Sequence, residues 1–192
     1  MPESTKEEKL FKVFANVTDW LKFAEAKNAV IIALNSASIY GITKMYDLDI
    51  LKNSDLWKWY LFIVLLQLVF STICSLISFA PRVKIIEGGY YAPGNIPNVL
   101  FFEYLKTKSN IEIIKEVTGI NDEATFTRIE QDIAEQTKQN SIIASRKYSY
   151  FTISVWLTIS AYITFPVALI FCLSTYCKDQ TKKNNTPAGP DE

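Results

Sequence analysis

The run Tyr148–Cys177 constrains this chain most, because it contains thirty consecutive residues without a charged side chain. Lys147 precedes it and Lys178 follows it. A helix of about 20 apolar residues is long enough to cross the hydrocarbon core of a bilayer. Water-soluble domains of this size rarely contain such an uninterrupted run. The sequence therefore predicts a membrane protein, with 148–177 as one transmembrane helix.

Two further segments are candidate spans. Residues 57–80 carry a single charge, Lys58, close to one end, where aromatic rings also favour the membrane interface. Residues 28–44 are shorter, but small side chains recur there at every fourth position: Ala29, Ala33, Ala37 and Gly41. Such a stripe lets helices pack closely in lipid, although an ordinary alanine-rich helix face has the same pattern. We expect 28–44 to be a span packed against the other two.

The positions of lysine and arginine predict the orientation. With three spans, residues 1–27 and 81–147 lie on the same side of the membrane and carry 14 of the 20 cations, so the positive-inside rule makes that side cytoplasmic. Residues 1–27 have the apolar spacing of an amphipathic helix that continues into the first span. Within 81–147, a loop rich in glycine and proline precedes helical patterns at 98–117 and from Asp122 onward. Residues 178–192 are predicted to be a disordered tail.

The predicted fold class is therefore all-α: a multi-pass membrane protein with about three transmembrane helices and a helical cytoplasmic layer. The chain has no histidine, which removes the usual general base and the commonest metal ligand. Motifs of phosphate loops, nucleophile elbows and zinc sites are also missing from the sequence. We expect no enzymatic activity, no catalytic residue and no metal. The zero net charge gives no indication of nucleic-acid binding.

Several cations fall at the predicted cytoplasmic boundary of the spans, where helix packing would gather them into a ring: Lys27, Arg82, Lys84, Arg146 and Lys147. One interpretation is that they set topology and contact lipid headgroups. The other is an anion site, for example for the phosphate of a nucleotide, which arginine binds in a bidentate manner. Both interpretations fit the sequence.

Hydroxyl and amide side chains occur inside two of the predicted spans: Gln67, Ser71, Ser75, Ser78, Ser154, Thr158, Ser160 and Thr164. The favoured interpretation is hydrogen bonding between helices or to the helix's own carbonyls. The alternative is a polar lining that assembly into a pore would expose. No ionisable residue lies in the middle of a span, so transport by a proton relay is not expected.

The segment 136–148, QTKQNSIIASRKY, resembles the signature that leads into the last span of the Pycsar effector (PycTM) family of small bacterial membrane proteins. The segments 19–29 (DWLKFAEAKNA) and 75–82 (SLISFAPR) resemble the family's entry to the first span and end of the second. Phe101-Phe102-Glu103-Tyr104 lies where the family has an aromatic-rich stretch. The resemblance covers roughly residues 15–175.

The resemblance implies an antiphage-defence effector of the bacterial inner membrane, with a cytoplasmic N-terminus. A separate cyclase would make a cyclic nucleotide on infection, and we expect this ligand of the effector to be cyclic CMP or cyclic UMP. We expect no other cofactor. The effector, as a homo-oligomer in contact with membrane lipid, would then impair membrane integrity and cause abortive infection. The residues expected to bind the nucleotide are Lys27, Arg82, Asn140 and Lys147. The alternative is a membrane adaptor, without enzymatic activity, whose cytoplasmic helices bind a protein partner.

Overall fold

The computed structural model describes residues 5–46, 55–80 and 98–184, and within these ranges the chain is all-helical, with no strand. This confirms the predicted fold class. The helices are α1 (Lys6–Met45), α2 (Asp55–Phe79), α3 (Phe102–Leu105), α4 (Asn110–Thr118) and α5 (Arg128–Asn184), with a 3₁₀ turn at Glu123–Thr125 between α4 and α5.

Two helices are long and apolar enough to cross a membrane, α2 and the part of α5 from Arg128 to Ala168. They cover most of two of the three predicted spans, 57–80 and 148–177. By the same criteria, residues 28–44 do not stand out as a third span among the described residues, so the count of three is approximate. That segment is the second half of α1, which packs against both α2 and α5.

Helix α1 runs without a break through the predicted junction between the amphipathic segment and the first span. Its start is capped by the Thr5 hydroxyl, which accepts a hydrogen bond from the backbone N–H of Glu8 at 3.3 Å. The apolar stripe predicted for its first half is the face that packs inward, with Leu10 and Val17 almost fully buried. Since no proline or glycine interrupts residues 6–40, nothing in the sequence ends the helix earlier.

The predicted packing of the small-residue stripe is wrong. Ala29, Ala33 and Ala37 are exposed on the outer surface of the three-helix bundle, and a Cβ atom added at Gly41 would meet nothing within 4 Å. The inward face of this half of α1 instead carries Asn28, Asn35 and Ile42. The two asparagines face inward because their side chains form buried hydrogen bonds to neighbouring helices, whereas the alanine side chain cannot form such a bond.

At one end of the bundle, the first half of α1, the short helices α3 and α4, the 3₁₀ turn and the start of α5 form a compact unit, here called the head. Its core consists of Leu10, Val13, Val17, Phe102, Leu105, Ile113, Ile114, Ile133, Ala134 and Ala144. Apolar burial of this extent is what holds short helices in place.

The helix predicted for 98–117 is two helices, because a turn at 106–109 separates α3 from α4. Ser109 starts α4 with a capping box: its hydroxyl accepts from the Glu112 N–H, and the Glu112 carboxylate accepts from the Ser109 N–H at 2.7 Å. Gly119 ends α4 with a φ of 76°, a left-handed conformation that favours glycine.

Helix α5 begins at Arg128 and not near Asp122, again because of a reciprocal cap. The Thr127 N–H donates to the Glu130 carboxylate at 2.8 Å, and the Glu130 N–H donates to the Thr127 hydroxyl at 3.2 Å. At its other end α5 continues to Asn184, so 178–184 is helical where a disordered tail was predicted. The rest of that tail, 185–192, lies outside the described residues.

Candidate functional site

An ion pair joins α1 to α5 where the head meets the spans. Lys147 Nζ lies 2.8 Å from Glu25 Oε1, and the same ammonium lies 5.4 Å from the centre of the Phe79 ring on α2. Lys147 is 8% exposed, whereas the Glu25 side chain keeps 45% of its exposure. The lysine charge is therefore almost withdrawn from solvent and depends on a partner that water still reaches.

A buried amide joins the same three helices. Asn28 Nδ2 donates to the Ala24 carbonyl at 3.0 Å, to Ser78 Oγ at 3.1 Å and to the Lys147 carbonyl at 3.5 Å. Asn28 is fully buried, and its Oδ1 has no partner among the described residues. A polar group in this position resists separation of the helices, because parting them would leave its N–H bonds unmade in an apolar setting.

Lys27 is held by aromatic rings. Its Nζ lies 4.3 Å from the centre of the Phe23 ring, 5.5 Å from that of Tyr148 and 5.3 Å from that of Phe151. Each ring attracts the ammonium through its negative face. Lys27 and Lys147 thus both lie at the start of the apolar run of α5, Lys27 near the Tyr148 ring and Lys147 next to Tyr148 in the chain.

Aromatic packing connects this level to the head. The Tyr148 ring stacks on Phe102 of α3 with 5.2 Å between ring centres, and Trp20 of α1 contacts both rings at 6.2 and 5.8 Å. Tyr148 belongs to the head core as a partly buried member, although it is the first residue of the predicted span. A shift of α3 would therefore act directly on the first turn of the α5 span.

These residues form what we call the boundary layer: Glu25, Lys27, Asn28, Phe79, Lys147 and Tyr148. The layer brings together Lys27 and Lys147 of the predicted nucleotide-binding residues. Asn140 lies two turns earlier on α5, where its Nδ2 is 3.5 Å from the Thr18 hydroxyl. Arg82 lies outside the described residues. The role of these four residues in nucleotide binding stays a prediction.

One polar contact beside the boundary layer is not predicted by the sequence. Lys106 Nζ lies 2.5 Å from Glu103 Oε2 and 2.8 Å from Ser145 Oγ, which ties α3 to α5. The side chains of Lys106 and Glu103 are only 16% and 9% exposed. Their i, i+3 spacing indicates a pair on one helix, but nothing in the sequence places Ser145 against it.

Below the boundary layer, buried polar side chains bond across the spans. Asn35 Nδ2 donates to Ser71 Oγ at 2.8 Å, and its Oδ1 accepts from Thr158 Oγ1 at 3.0 Å. Ser71 Oγ donates to the Ser154 carbonyl at 2.8 Å, and Ser154 Oγ donates to the Ser71 carbonyl at 3.0 Å. We call these four residues the polar ladder. They show the hydrogen bonding between helices that the sequence favours, although Asn35 was not among the residues expected to provide it.

One helix, α5, contributes residues to the head core, the boundary layer and the polar ladder. Among residues 5–46, 55–80 and 98–184, no three His, Cys, Asp or Glu side chains gather as a metal site requires. The boundary layer holds two lysine charges, one paired with Glu25 and one against aromatic rings, and α5 connects the layer to both the head and the spans. Its 57 residues extend over roughly 85 Å at about 1.5 Å per residue.

Comparison with known proteins gives one match. The model of the family PycTM, described as Pycsar effector protein domain, matches residues 9–174. This range includes every described helix apart from the first residues of α1 and the last residues of α5. No curated protein and no solved structure matches the chain.

Proposed function

Because the chain belongs to the Pycsar effector family, we propose that it is an inner-membrane effector of antiphage defence that responds to a cyclic nucleotide from a separate cyclase. In response it impairs membrane integrity, which kills the infected cell before phage mature. The observation that carries this proposal is the Glu25–Lys147 pair, because it joins α1 and α5, two helices that run from the head into the bundle of predicted spans.

The head is cytoplasmic in this proposal, and the chain spans the membrane more than once. The excess of lysine and arginine in residues 1–27 and 81–147 supports that orientation. A cytoplasmic head meets the nucleotide where a cyclase would release it. The protein acts as a homo-oligomer in contact with lipid, without enzymatic activity of its own.

The Glu25–Lys147 pair holds the resting state. A ligand shifts a conformational equilibrium only by binding one state more tightly than the other. Two events would separate the pair: an anion bound at Lys147 itself, as the predicted role of Lys27, Arg82, Asn140 and Lys147 implies, or a displacement of α5 caused by a ligand elsewhere in the head. The first event leaves Glu25 without its cation, and the second leaves the buried Lys147 charge without its partner.

The polar ladder supplies the membrane step. In the resting structure Asn35, Ser71 and Thr158 satisfy one another and are closed to solvent. If α1 and α5 separate, the same groups need other partners, and water entering between the helices supplies them. A wetted polar path across the bilayer dissipates ion gradients.

The test is dye release from liposomes that contain the purified full chain. We expect release on addition of cyclic CMP or cyclic UMP, and none from protein-free liposomes given the same nucleotide. Release by neither nucleotide, from protein shown to be inserted and folded, would contradict the proposal in this form. Capture of one cytoplasmic protein by the head, without release, would instead support the adaptor alternative.

A further inference from the structure

The head contains a cleft that is separate from the boundary layer. It has a volume of about 520 Å³ and lies between the start of α4, the 3₁₀ turn and the first turns of α5. Sites for small molecules are typically clefts of about 300–1,000 Å³. The residues of its wall that matter here are Ser109, Asn110, Phe126, Gln131 and Lys138, with Glu123 at one side.

Lys138 provides this cleft with an uncommitted positive charge. Three other lysines of the head are each paired with a glutamate: Lys106 at 2.5 Å, Lys108 at 2.9 Å and Lys115 at 2.6 Å. The Lys138 ammonium makes no hydrogen bond or ion pair within the described part of the chain, although it is only partly exposed. A half-buried ammonium in a polar cleft is suited to bind an anion.

Two carboxylates beside Lys138, those of Glu123 and Glu112, already have other partners. Glu123 is the glutamate that Lys115 binds, at 2.6 Å. The Glu112 carboxylate accepts from the Ser109 N–H at 2.7 Å. Its pKa is lowered mainly by the hydrogen bonds from Ser109, with smaller contributions from the charges of Lys108 and Lys138. Lys138 is therefore near Glu112 but does not contact it.

The other walls suit a nucleobase. Phe126 packs against the head core and lines the cleft, and an aromatic ring is a surface on which any base can stack. The amides of Asn110 and Gln131 each offer donors and acceptors, as recognition of a base edge requires. An aromatic ring, two amides and one cation around this volume match the parts of a mononucleotide.

We propose that this cleft binds the cyclic mononucleotide, with its phosphate at Lys138, its base against Phe126 and the base edge at Asn110 and Gln131. The inference rests on the proposed function and places the ligand in a cleft that Lys27, Asn140 and Lys147 do not line. Lys138 and Lys147 lie nine residues apart on α5, about 13 Å along the helix. Binding at the first therefore reaches the Glu25–Lys147 pair through one continuous helix.

The experiment measures the affinity of the detergent-solubilised full chain for cyclic CMP, cyclic UMP, cyclic AMP and linear 5′-CMP by titration calorimetry. The variants are Lys138→Gln, Phe126→Leu and Lys147→Gln, with Lys22→Gln as a matched control, since Lys22 is an exposed lysine of α1. Phe126→Leu keeps an apolar side chain for the head core but removes the stacking surface. Far-UV circular dichroism and melting confirm that each variant is folded.

We expect Lys138→Gln to weaken binding of the cyclic pyrimidine nucleotide about tenfold or more, as loss of a charge-assisted hydrogen bond implies. Phe126→Leu should also weaken it, while Lys22→Gln should bind within about twofold of the wild type. Lys147→Gln should bind at least as tightly as the wild type, because loss of the Glu25–Lys147 pair favours the state that binds the ligand. Unchanged affinity in Lys138→Gln, or loss of binding in Lys147→Gln alone, overturns the cleft assignment and leaves the proposed function intact. A folded wild type that binds none of the four nucleotides, and releases no dye with them, overturns both.

Discussion

Glu25 and Lys147 form an ion pair of 2.8 Å between two helices, but the two side chains are buried to different extents. The lysine is nearly enclosed, between Phe79 and the start of the α5 span, whereas almost half of the glutamate side chain remains exposed. The pair can therefore be separated from the solvent side without first unfolding the bundle. This asymmetry makes it suitable as the contact that a ligand breaks.

Loss of Glu25 and loss of Lys147 should lower the free energy of unfolding by different amounts. Removing one partner of a fully buried pair costs about 3–5 kcal/mol. Because Glu25 is 45% exposed, we expect Glu25→Gln to lower the free energy of unfolding by about 1–2 kcal/mol, since Lys147 is left buried without its partner. Lys147→Gln removes the buried charge itself and should cost less. Thermal unfolding in detergent, followed by circular dichroism, measures both.

The matched control for that comparison is the Asp19–Lys22 pair, one turn before Glu25 on α1. Its side chains are 74% and 71% exposed, and exposed pairs contribute at most about 1 kcal/mol. Lys22→Gln should therefore leave the melting temperature nearly unchanged. Equal effects of Lys22→Gln and Glu25→Gln would show that burial of Lys147 has no energetic consequence.

The polar ladder predicts a large effect at one position of α1 and a small effect two residues away. Asn35→Ala breaks its hydrogen bonds to Ser71 and Thr158 and should destabilise the span bundle by about 1–3 kcal/mol. Ala33→Leu adds volume on the exposed face and should cost less than about 0.5 kcal/mol. Resistance to unfolding in mixed micelles of increasing denaturing detergent ranks the two. A more harmful Ala33→Leu would mean that the exposed face is packed in the membrane.

That pair of positions also shows how far the sequence predicts this fold. The lengths of uncharged segments predict α2 and the α5 span, because the bilayer sets a minimum apolar length. Periodicity then assigns Ala33 to one face and Asn35 to another, but it does not say which face meets a partner. In water the apolar face of a helix packs inward. In lipid the surroundings are apolar too, so hydrogen bonding determines which face packs against another helix.

Helix α4 should respond to pH through Glu112. Its pKa lies below the usual 4.5, mainly because the Ser109 N–H donates to the charged carboxylate. The stabilisation is therefore complete above about pH 5 and is lost as the pH falls from 4.5 through the lower pKa of the folded state. Melting curves between pH 7 and 3 should show an advantage of the wild type over Glu112→Gln that shrinks in this acid range.

Asp132→Asn, an exposed change on α5, is the control for the acid series. Asp132 makes no cap, so the difference in melting temperature between Asp132→Asn and the wild type should not follow the pH profile expected for Glu112→Gln. An advantage of wild type over Glu112→Gln that stays constant down to pH 3 would exclude the charged cap as its source.

Gly119 ends α4 and should not tolerate a side chain. A Cβ atom would meet nothing within 4 Å, so only the backbone conformation, with a φ of 76°, opposes it. The left-handed conformation costs a residue with a Cβ about 1–2 kcal/mol, and asparagine adopts it more readily than alanine. We expect Gly119→Ala to lower the melting temperature more than Gly119→Asn. The reverse order would point to packing as the cause.

The candidate site was less predictable than the spans. The cations at the boundary are visible in the sequence, and two of them, Lys27 and Lys147, lie at the start of the α5 span in the folded chain. Their partners are not predictable, because Glu25 lies 122 positions from Lys147 and only helix packing brings the two together. The cleft at Lys138 depends on the start of α5, which the spacing of Thr127 and Glu130 indicates as a capping box.

Dye release from liposomes containing the Glu25→Gln variant, measured before any nucleotide is added, tests most directly whether the Glu25–Lys147 pair holds the resting state. We expect substantial release without ligand from Glu25→Gln, while the wild type and Lys22→Gln release dye only after the cyclic nucleotide is added. Exchange of the two charges, Glu25→Lys with Lys147→Glu, should restore dependence on the ligand. Ligand-free liposomes of Glu25→Gln that stay as tight as those of the wild type, with the same response to nucleotide, would contradict the role of this pair.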